Sequence, residues 1–154
     1  MQTFYMTDAG KVRTHNEDNV TIISNNNNEF ILAVADGMGG HKAGEVASNI
    51  AIEHITESFE SMQSLGKKED AIDWLRQVVR EINDNIFSYT NKHPESKGMG
   101  TTLVIAVKTD EYILYGNIGD SSGYVIKNKK LHKVTKDHTL VNLLVSTGEL
   151  TPEQ

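Results

Sequence analysis

The sequence contains no cysteine, which excludes disulfides, thiolate metal sites and cysteine nucleophiles. It also lacks a basic excess. Lys and Arg number 15 against 21 Asp and Glu, a formal charge of −6. Nucleic acid and anionic membrane surfaces both select a basic face, so neither is expected as a partner. The opening residues Met1-Gln2-Thr3-Phe4-Tyr5 carry no basic leader and no long apolar stretch. No later run has transmembrane length, and a cytoplasmic location is the expectation. Repeats are absent, and low complexity is confined to the asparagines at 25–28.

What is present suffices for one domain. With 154 residues, 38% of them apolar and 23% charged, a single packed unit over residues 1–154 is the natural reading. The acidic balance also leaves room for a divalent-cation site built from clustered carboxylates. The most informative stretch is Phe30-Ile31-Leu32-Ala33-Val34-Ala35-Asp36-Gly37-Met38-Gly39-Gly40-His41. Its apolar run is short and bounded by turn residues, which predicts a strand buried on both faces, with Asp36 at its end. The glycines after Asp36 permit close backbone approach, as a bound ligand or ion requires, although a plain strand-to-helix turn has the same composition.

The preceding segment favours the first of these alternatives. Arg13-Thr14-His15-Asn16-Glu17-Asp18-Asn19 is polar and leads into β-branched Val20-Thr21-Ile22-Ile23. With the asparagines as a hairpin tip, the start of this strand lies beside the end of the next. Topology alone then brings Glu17, Asp18 and Asp36 together. Phe4 to Thr7 is a further strand candidate, closed by Asp8-Ala9-Gly10.

Apolar spacing of three and four predicts a helix over 44–62 and a second over 69–91, packed as an antiparallel pair on a sheet. Strands are expected at 103–107, 112–118, 123–126 and 131–134, the Lys127-Asn128-Lys129-Lys130 turn being a solvated edge. Gly119-Asp120-Ser121-Ser122 sets another acid at a strand end. Asp137-His138-Thr139 is expected to cap a short helix through Leu140 and Val145. Thr151-Pro152-Glu153 has the form of a helix start, and the chain stops one residue later, as a C-terminally truncated domain would.

Clustered acids on glycine-flanked turns suit hard cations such as Mg²⁺ or Mn²⁺. Two such ions can activate water toward a phosphate ester, and a nearby Arg can hold phosphate oxygens. At this point a family resemblance enters. Arg13-x-x-Asn16-Glu17-Asp18-Asn19, Asp36-Gly37-Met38-Gly39-Gly40-His41-x-x-Gly44-Glu45, Gly100-Thr101-Thr102 and Gly119-Asp120-Ser121 stand in an order and spacing that resembles the metal-dependent PP2C-type (PPM family) serine/threonine protein phosphatases, in their bacterial branch. Four ordered motifs carry it, from about Asp8 to the end of the chain.

The resemblance implies an α+β fold, a layered β-sandwich flanked by antiparallel helix pairs (α-β-β-α), of which about the N-terminal two-thirds is present. It implies that Asp36 bridges two Mn²⁺ or Mg²⁺ ions, that the Gly37 carbonyl ligates one, and that Glu17 and Asp18 hold the second, directly or through water. Asp120 matches the acid for a third ion, and Arg13 the phosphate-binding arginine. Activated water is the implied nucleophile, phosphoproteins the implied substrates, and residues 135–154 the implied mobile flap. His41 is a candidate general acid, or else a histidine at a helix entrance.

Two departures from the pattern stand out. Ser122 occupies a position where the family usually has Arg. The later motifs that supply two further ligand aspartates are absent, since there is no second Asp-Gly and the other Asp-Asn, Asp84-Asn85, falls inside a predicted helix. Two readings follow: hydrolysis of phosphoserine and phosphothreonine at a binuclear centre, or a non-catalytic fragment that binds a divalent metal weakly. A half-sandwich exposes apolar strand edges, so self-association is expected.

Overall fold

The structure, a computed structural model, describes residues 2–13, 15–40, 42–133 and 144–146. Its first element is the expected hairpin, β1 (Asp18–Ser24) and β2 (Phe30–Met38). The tip is held by asparagine chemistry. Asn25 accepts the Asn27 amide at 3.0 Å, and Asn28 takes a left-handed φ of 58°, which asparagine tolerates better than most residues. Two helices follow, α1 (Ala43–Glu60) and α2 (Lys68–Lys92). The Asp70 carboxylate accepts the Lys67 amide at 3.1 Å and, with Glu69, sets negative charge at the amino end of α2.

The chain then returns as β3 (Gly100–Thr101), β4 (Leu103–Lys108) and β5 (Ile113–Ile118), followed by β6 (Tyr124–Lys127), β7 (Lys130–Lys133) and β8 (Leu144–Ser146). The main sheet runs β1-β2-β4-β5-β8, antiparallel throughout, with β3 also on β2; β6 and β7 form a separate hairpin. Asn128 and Lys129 turn that hairpin with both φ values positive, as a two-residue type I′ turn demands.

The helices cover one face of the sheet. Ile31, Ala33 and Ala35 of β2 and Leu103, Ile105 and Val107 of β4 share a core with Ile55 and Phe59 of α1 and Leu75, Val78 and Ile82 of α2. Each of the larger of these side chains, from valine to phenylalanine, contributes about 1.5–3 kcal/mol on full burial. The alternate residues of β2 face the other way, where Val34 is 45% exposed. The expectation of a strand buried on both faces is therefore corrected: β2 alternates, because the helices cover only one side of it. The mixed α+β class and the antiparallel helix pair over a sheet are as expected.

Three further differences have physical causes. β2 runs on through Asp36 and Gly37 to Met38, because β1 and β3 both supply pairing partners at that end. Residues 2–9 form no strand; Phe4 to Asp8 instead line a hollow beside Val20, Ile22, Leu32 and Val34. Leu144 and Val145, expected in a short helix, pair as β8 with Tyr115 and Leu114, which occupies the outer edge of β5. The rest of that expected helix, the strand position Val134, most of the implied flap and the helix start at Thr151 lie outside the described residues. No helix among the described residues is long and apolar enough to cross a membrane.

Candidate metal centre

The register of the first hairpin builds the centre. Asp18 of β1 stands directly opposite Asp36 of β2, both exposed on the face that the helices leave open. Directly opposed like charges destabilise a strand pair, so this is a costly arrangement for a merely structural sheet. The electrostatics reflect it. The Asp36 carboxyl, though its residue is exposed, is raised above its ordinary 3.8 by partial desolvation first. A hydrogen bond with Asp18 and the negative charges of Asp18 and Asp120 raise it further, while the Arg13 guanidinium pulls it down. Three residues from two other segments of the chain thus bear on one carboxyl.

Local bonds hold these segments in place. The Asn16 side chain accepts the Asp18 amide at 2.9 Å and donates to Thr7 at 2.6 Å, which fixes the approach to β1. Asn19 reaches Asn49 of α1 at 2.5 Å. Two asparagines of the first motif therefore serve to anchor the acid beside them.

Glu17 has different surroundings. Its backbone carbonyl accepts the Gly37 amide at 3.1 Å, and its carboxylate lies against the α-carbon of Gly44, where a Cβ would overlap it. Adjacent residues of an extended chain point to opposite sides, so Glu17 turns toward the start of α1 while Asp18 faces Asp36. His15 lies 3.9 Å from the Glu17 carboxylate, an ion pair whenever the imidazole is protonated. Gly37 is buried, and the space for its own Cβ is filled by the Gly44 carbonyl. Strand and helix backbones meet here with no side chain between them, the physical reason for glycine at both positions.

Asp120 sits exposed on the loop after β5, behind Gly119 at φ +94°. Its neighbour Ser121 lies 2.6 Å from the Thr102 hydroxyl, and Thr102 accepts the Asp36 amide at 3.1 Å. Thr102 is the residue whose part the sequence did not disclose. It stands in one of the four ordered motifs, but nothing in Gly100-Thr101-Thr102 marks the second threonine over the first. Ser122, where an Arg is usual, makes only a long 3.5 Å contact to the Asp120 carbonyl. His41 lies outside the described residues.

The donor set suits a hard cation: carboxylate oxygens, a neighbouring main chain, and a mutual repulsion that positive charge would relieve. The fit is partial. Among the described residues no group of three or more His, Asp or Glu side chains converges closely enough to hold a metal ion by itself. The opposed pair Asp18 and Asp36 is what the described residues offer, with Asp120 contributing charge from a third segment.

Comparison with known proteins gives this geometry a context. Residues 9–153 match the family described as Protein phosphatase 2C. The chain is 40% identical over 153 residues to a serine/threonine phosphatase of Listeria monocytogenes, covering 99% of this chain and 61% of that protein. It is 34% identical over 154 residues to a protein phosphatase of Streptococcus pneumoniae, covering 100% of this chain and 62% of the relative. It thus spans about three-fifths of the length of these relatives. Among solved structures, a serine/threonine phosphatase from Staphylococcus aureus superposes with a TM-score of 0.79 at 40% identity, over 86% of this chain and 52% of that one. The catalytic domain of the serine/threonine protein phosphatase PstP in complex with two manganese ions matches with a TM-score of 0.74 at 36% identity, over 84% and 53%. With its ordered motifs, its antiparallel sheet under two helices and its paired acids, the chain belongs to the protein phosphatase 2C family.

Proposed function

We propose that the chain forms part of one phosphatase domain that hydrolyses phosphoserine and phosphothreonine in proteins with the help of divalent cations. One observation carries this reading. Asp36 is opposed by Asp18 and lies within the field of Asp120 and Arg13, in a chain of this family. Asp36 and Asp18 would hold the first cation, with the Gly37 carbonyl and Asp120 as further donors and Glu17, on the α1 side, acting through water. Mn²⁺ or Mg²⁺ at this point supplies positive charge against the phosphate and makes water a usable nucleophile near neutral pH. Arg13, exposed beside the acids, would grip and orient phosphate oxygens. The acids themselves exclude an unaccompanied phosphate by repulsion, so substrate and cation would bind together. The related PstP domain with two manganese ions supports manganese as the first cation to test.

A second reading is favoured by a specific observation, the lack of any three-acid cluster among the described residues. On that reading these 154 residues bind one cation weakly and do not turn over substrate. Hydrolysis of a small aryl phosphate, with and without Mn²⁺, separates the two. It should be measured on this chain and on a form extended to the length of the relatives. Mn²⁺-dependent turnover in the extended form, lost in Asp36→Asn, supports the phosphatase reading. Turnover that ignores Mn²⁺, or that survives Asp36→Asn, would sink it. Turnover in the short chain alone would dispose of the second reading.

A further inference from the structure

β2 pairs with Val104 at Val34 and with Thr101 at Gly37, one continuous register that sets Asp36 opposite Thr102. Half of the expected exchange between them is present: the Thr102 amide donates to the Asp36 carbonyl at 2.9 Å. The return bond is different. The Asp36 amide donates to the Thr102 hydroxyl oxygen at 3.1 Å, and the Thr102 carbonyl accepts the Thr101 hydroxyl at 2.8 Å. This substitution is why β3 and β4 part at Thr102. It frees a buried hydroxyl to face two ways, since the same oxygen lies 2.6 Å from the Ser121 hydroxyl. The methyl of Thr102 fits against Gly119, 2.8 Å from where a Cβ there would stand.

We propose that Thr102 is a positioning residue for the acidic centre. Its hydroxyl joins the backbone of Asp36 to the Asp120-Ser121 loop and so sets the separation of two carboxylates borne on different elements. The proposal rests on the cation reading above. Its chemistry is specific: a β-branched side chain with few rotamers presents one oxygen to both β2 and the Asp120 loop, and its methyl seats the left-handed Gly119. Supporting partners of this kind typically alter metal affinity by about 10–100-fold when removed.

The test compares Thr102→Val, which keeps the shape and loses both bonds, with Thr102→Ser, which keeps the hydroxyl. Mn²⁺ binding is followed by the loss of the free-ion electron paramagnetic resonance signal, and amide shifts and hydrogen exchange are recorded on the metal-free chain. In Thr102→Val, Mn²⁺ affinity should fall about 10-fold or more. The Asp36 amide should lose protection, and the amides of Gly119, Asp120 and Ser121 should shift. Thr102→Ser should restore all three. Ser121→Ala, which removes only the outer bond, should shift the Asp36 amide from across the sheet, and it serves where Thr102→Val fails to fold. Unchanged Mn²⁺ affinity in Thr102→Val, with binding abolished by Asp36→Asn, would overturn the proposal. So would amide changes that never cross from Asp36 and Thr102 to the Asp120 loop. If the unaltered chain takes up no Mn²⁺, the cation reading fails by itself, and the amide measurements still decide whether Thr102 couples the two segments.

Discussion

Substituting Gly37 by alanine tests the joint on which the centre stands. An added methyl would overlap the Gly44 carbonyl and stand 2.9 Å from the Gly44 α-carbon. Those atoms are main chain in the first turn of α1, so no rotamer change relieves the clash. The Glu17 carboxylate crowds the same glycine and leaves no slack at the joint. Relief therefore requires α1 to lift from the sheet. Overpacking of a filled interior costs about 1–3 kcal/mol, and two backbones in contact place this case near about 3 kcal/mol. Gly40, three residues on, provides the control. A Cβ there meets nothing within 4 Å, and its φ is not among the left-handed ones. Gly40→Ala should stabilise by about 0.4–1 kcal/mol by restricting the unfolded chain. For a chain of this size, about 2–4 °C per kcal/mol applies, so Gly37→Ala should melt about 6–12 °C below the unaltered chain while Gly40→Ala melts at or above it. Circular dichroism melts and urea titrations of the three proteins decide the matter. A Gly37→Ala chain within about 1 kcal/mol of the original, or a Gly40→Ala chain that is the weaker of the two, would refute the steric account.

Other outcomes follow from the same structure. The folded carboxyl of Asp36 is raised above 3.8, so its contribution to stability is fully present below pH 3.8 and is lost as pH rises through the raised value. Asp36→Asn should flatten this dependence in metal-free melts, and Mn²⁺ protection of the unaltered chain should fade as the pH drops through the same window; an identical pH profile in the two proteins would count against it. Glu29, 5% exposed, accepts the Leu65 amide at 3.0 Å and the Asn25 side chain at 2.7 Å. Glu29→Ala strands a buried amide and should cost about 1–3 kcal/mol in urea, with Glu29→Gln losing less; no loss in either would contradict the bonding described. Phe59 is 2% exposed and lies 6.4 Å, centroid to centroid, from Trp74, the single tryptophan of the chain. Phe59→Ala should cost about 3–5 kcal/mol and shift Trp74 fluorescence in the folded state, and a fluorescence spectrum left unchanged would refute the contact.

Much of this was legible in the sequence, for reasons that differ from element to element. The hairpin of β1 and β2 could be read because β-branched runs flank an asparagine tip, and its register then dictated that Asp18 meet Asp36. The helices could be read from apolar spacing, although the buried stripe of α1 runs through Ala47 and Ala51, small residues that a hydrophobicity pattern underweights. What escaped depended on long-range partners. Nothing in Asp36-Gly37-Met38 says that β3 will extend the strand past its apolar run. Leu144 and Val145 carry a helical spacing, but the edge of β5 offers unpaired backbone groups, and the tertiary contact prevails over local preference. Glu17 and Asp18 look equivalent as letters, yet strand alternation sends one toward α1 and the other toward Asp36. Thr102 could not have been singled out, because its role depends on which of two oxygens answers one amide.

The centre also bears on how the fold and its ligand are coupled. Asp18, Asp36 and Asp120 are brought together by backbone register and by the Thr102 bridge, against the mutual repulsion of their charges. The sheet has to overcome their repulsion through the core beneath it, where Ile31, Ala33 and Ala35 pack on the helices. A group that is unfavourable in the bare fold and favourable with a cation makes stability depend on that cation, because binding to the folded state alone shifts the unfolding equilibrium. The acids therefore act on the chain in opposite directions: without a cation they weaken the open end of the β1–β2 hairpin, and with one they should become its strongest cross-link. Chelation should accordingly lower protection from hydrogen exchange first at Asp18 and Asp36 and only later at Ile31 and Ala33, deep under α1. Uniform loss of protection along β2 would mean that the centre and the core open as one unit, with no local coupling between cation and hairpin end.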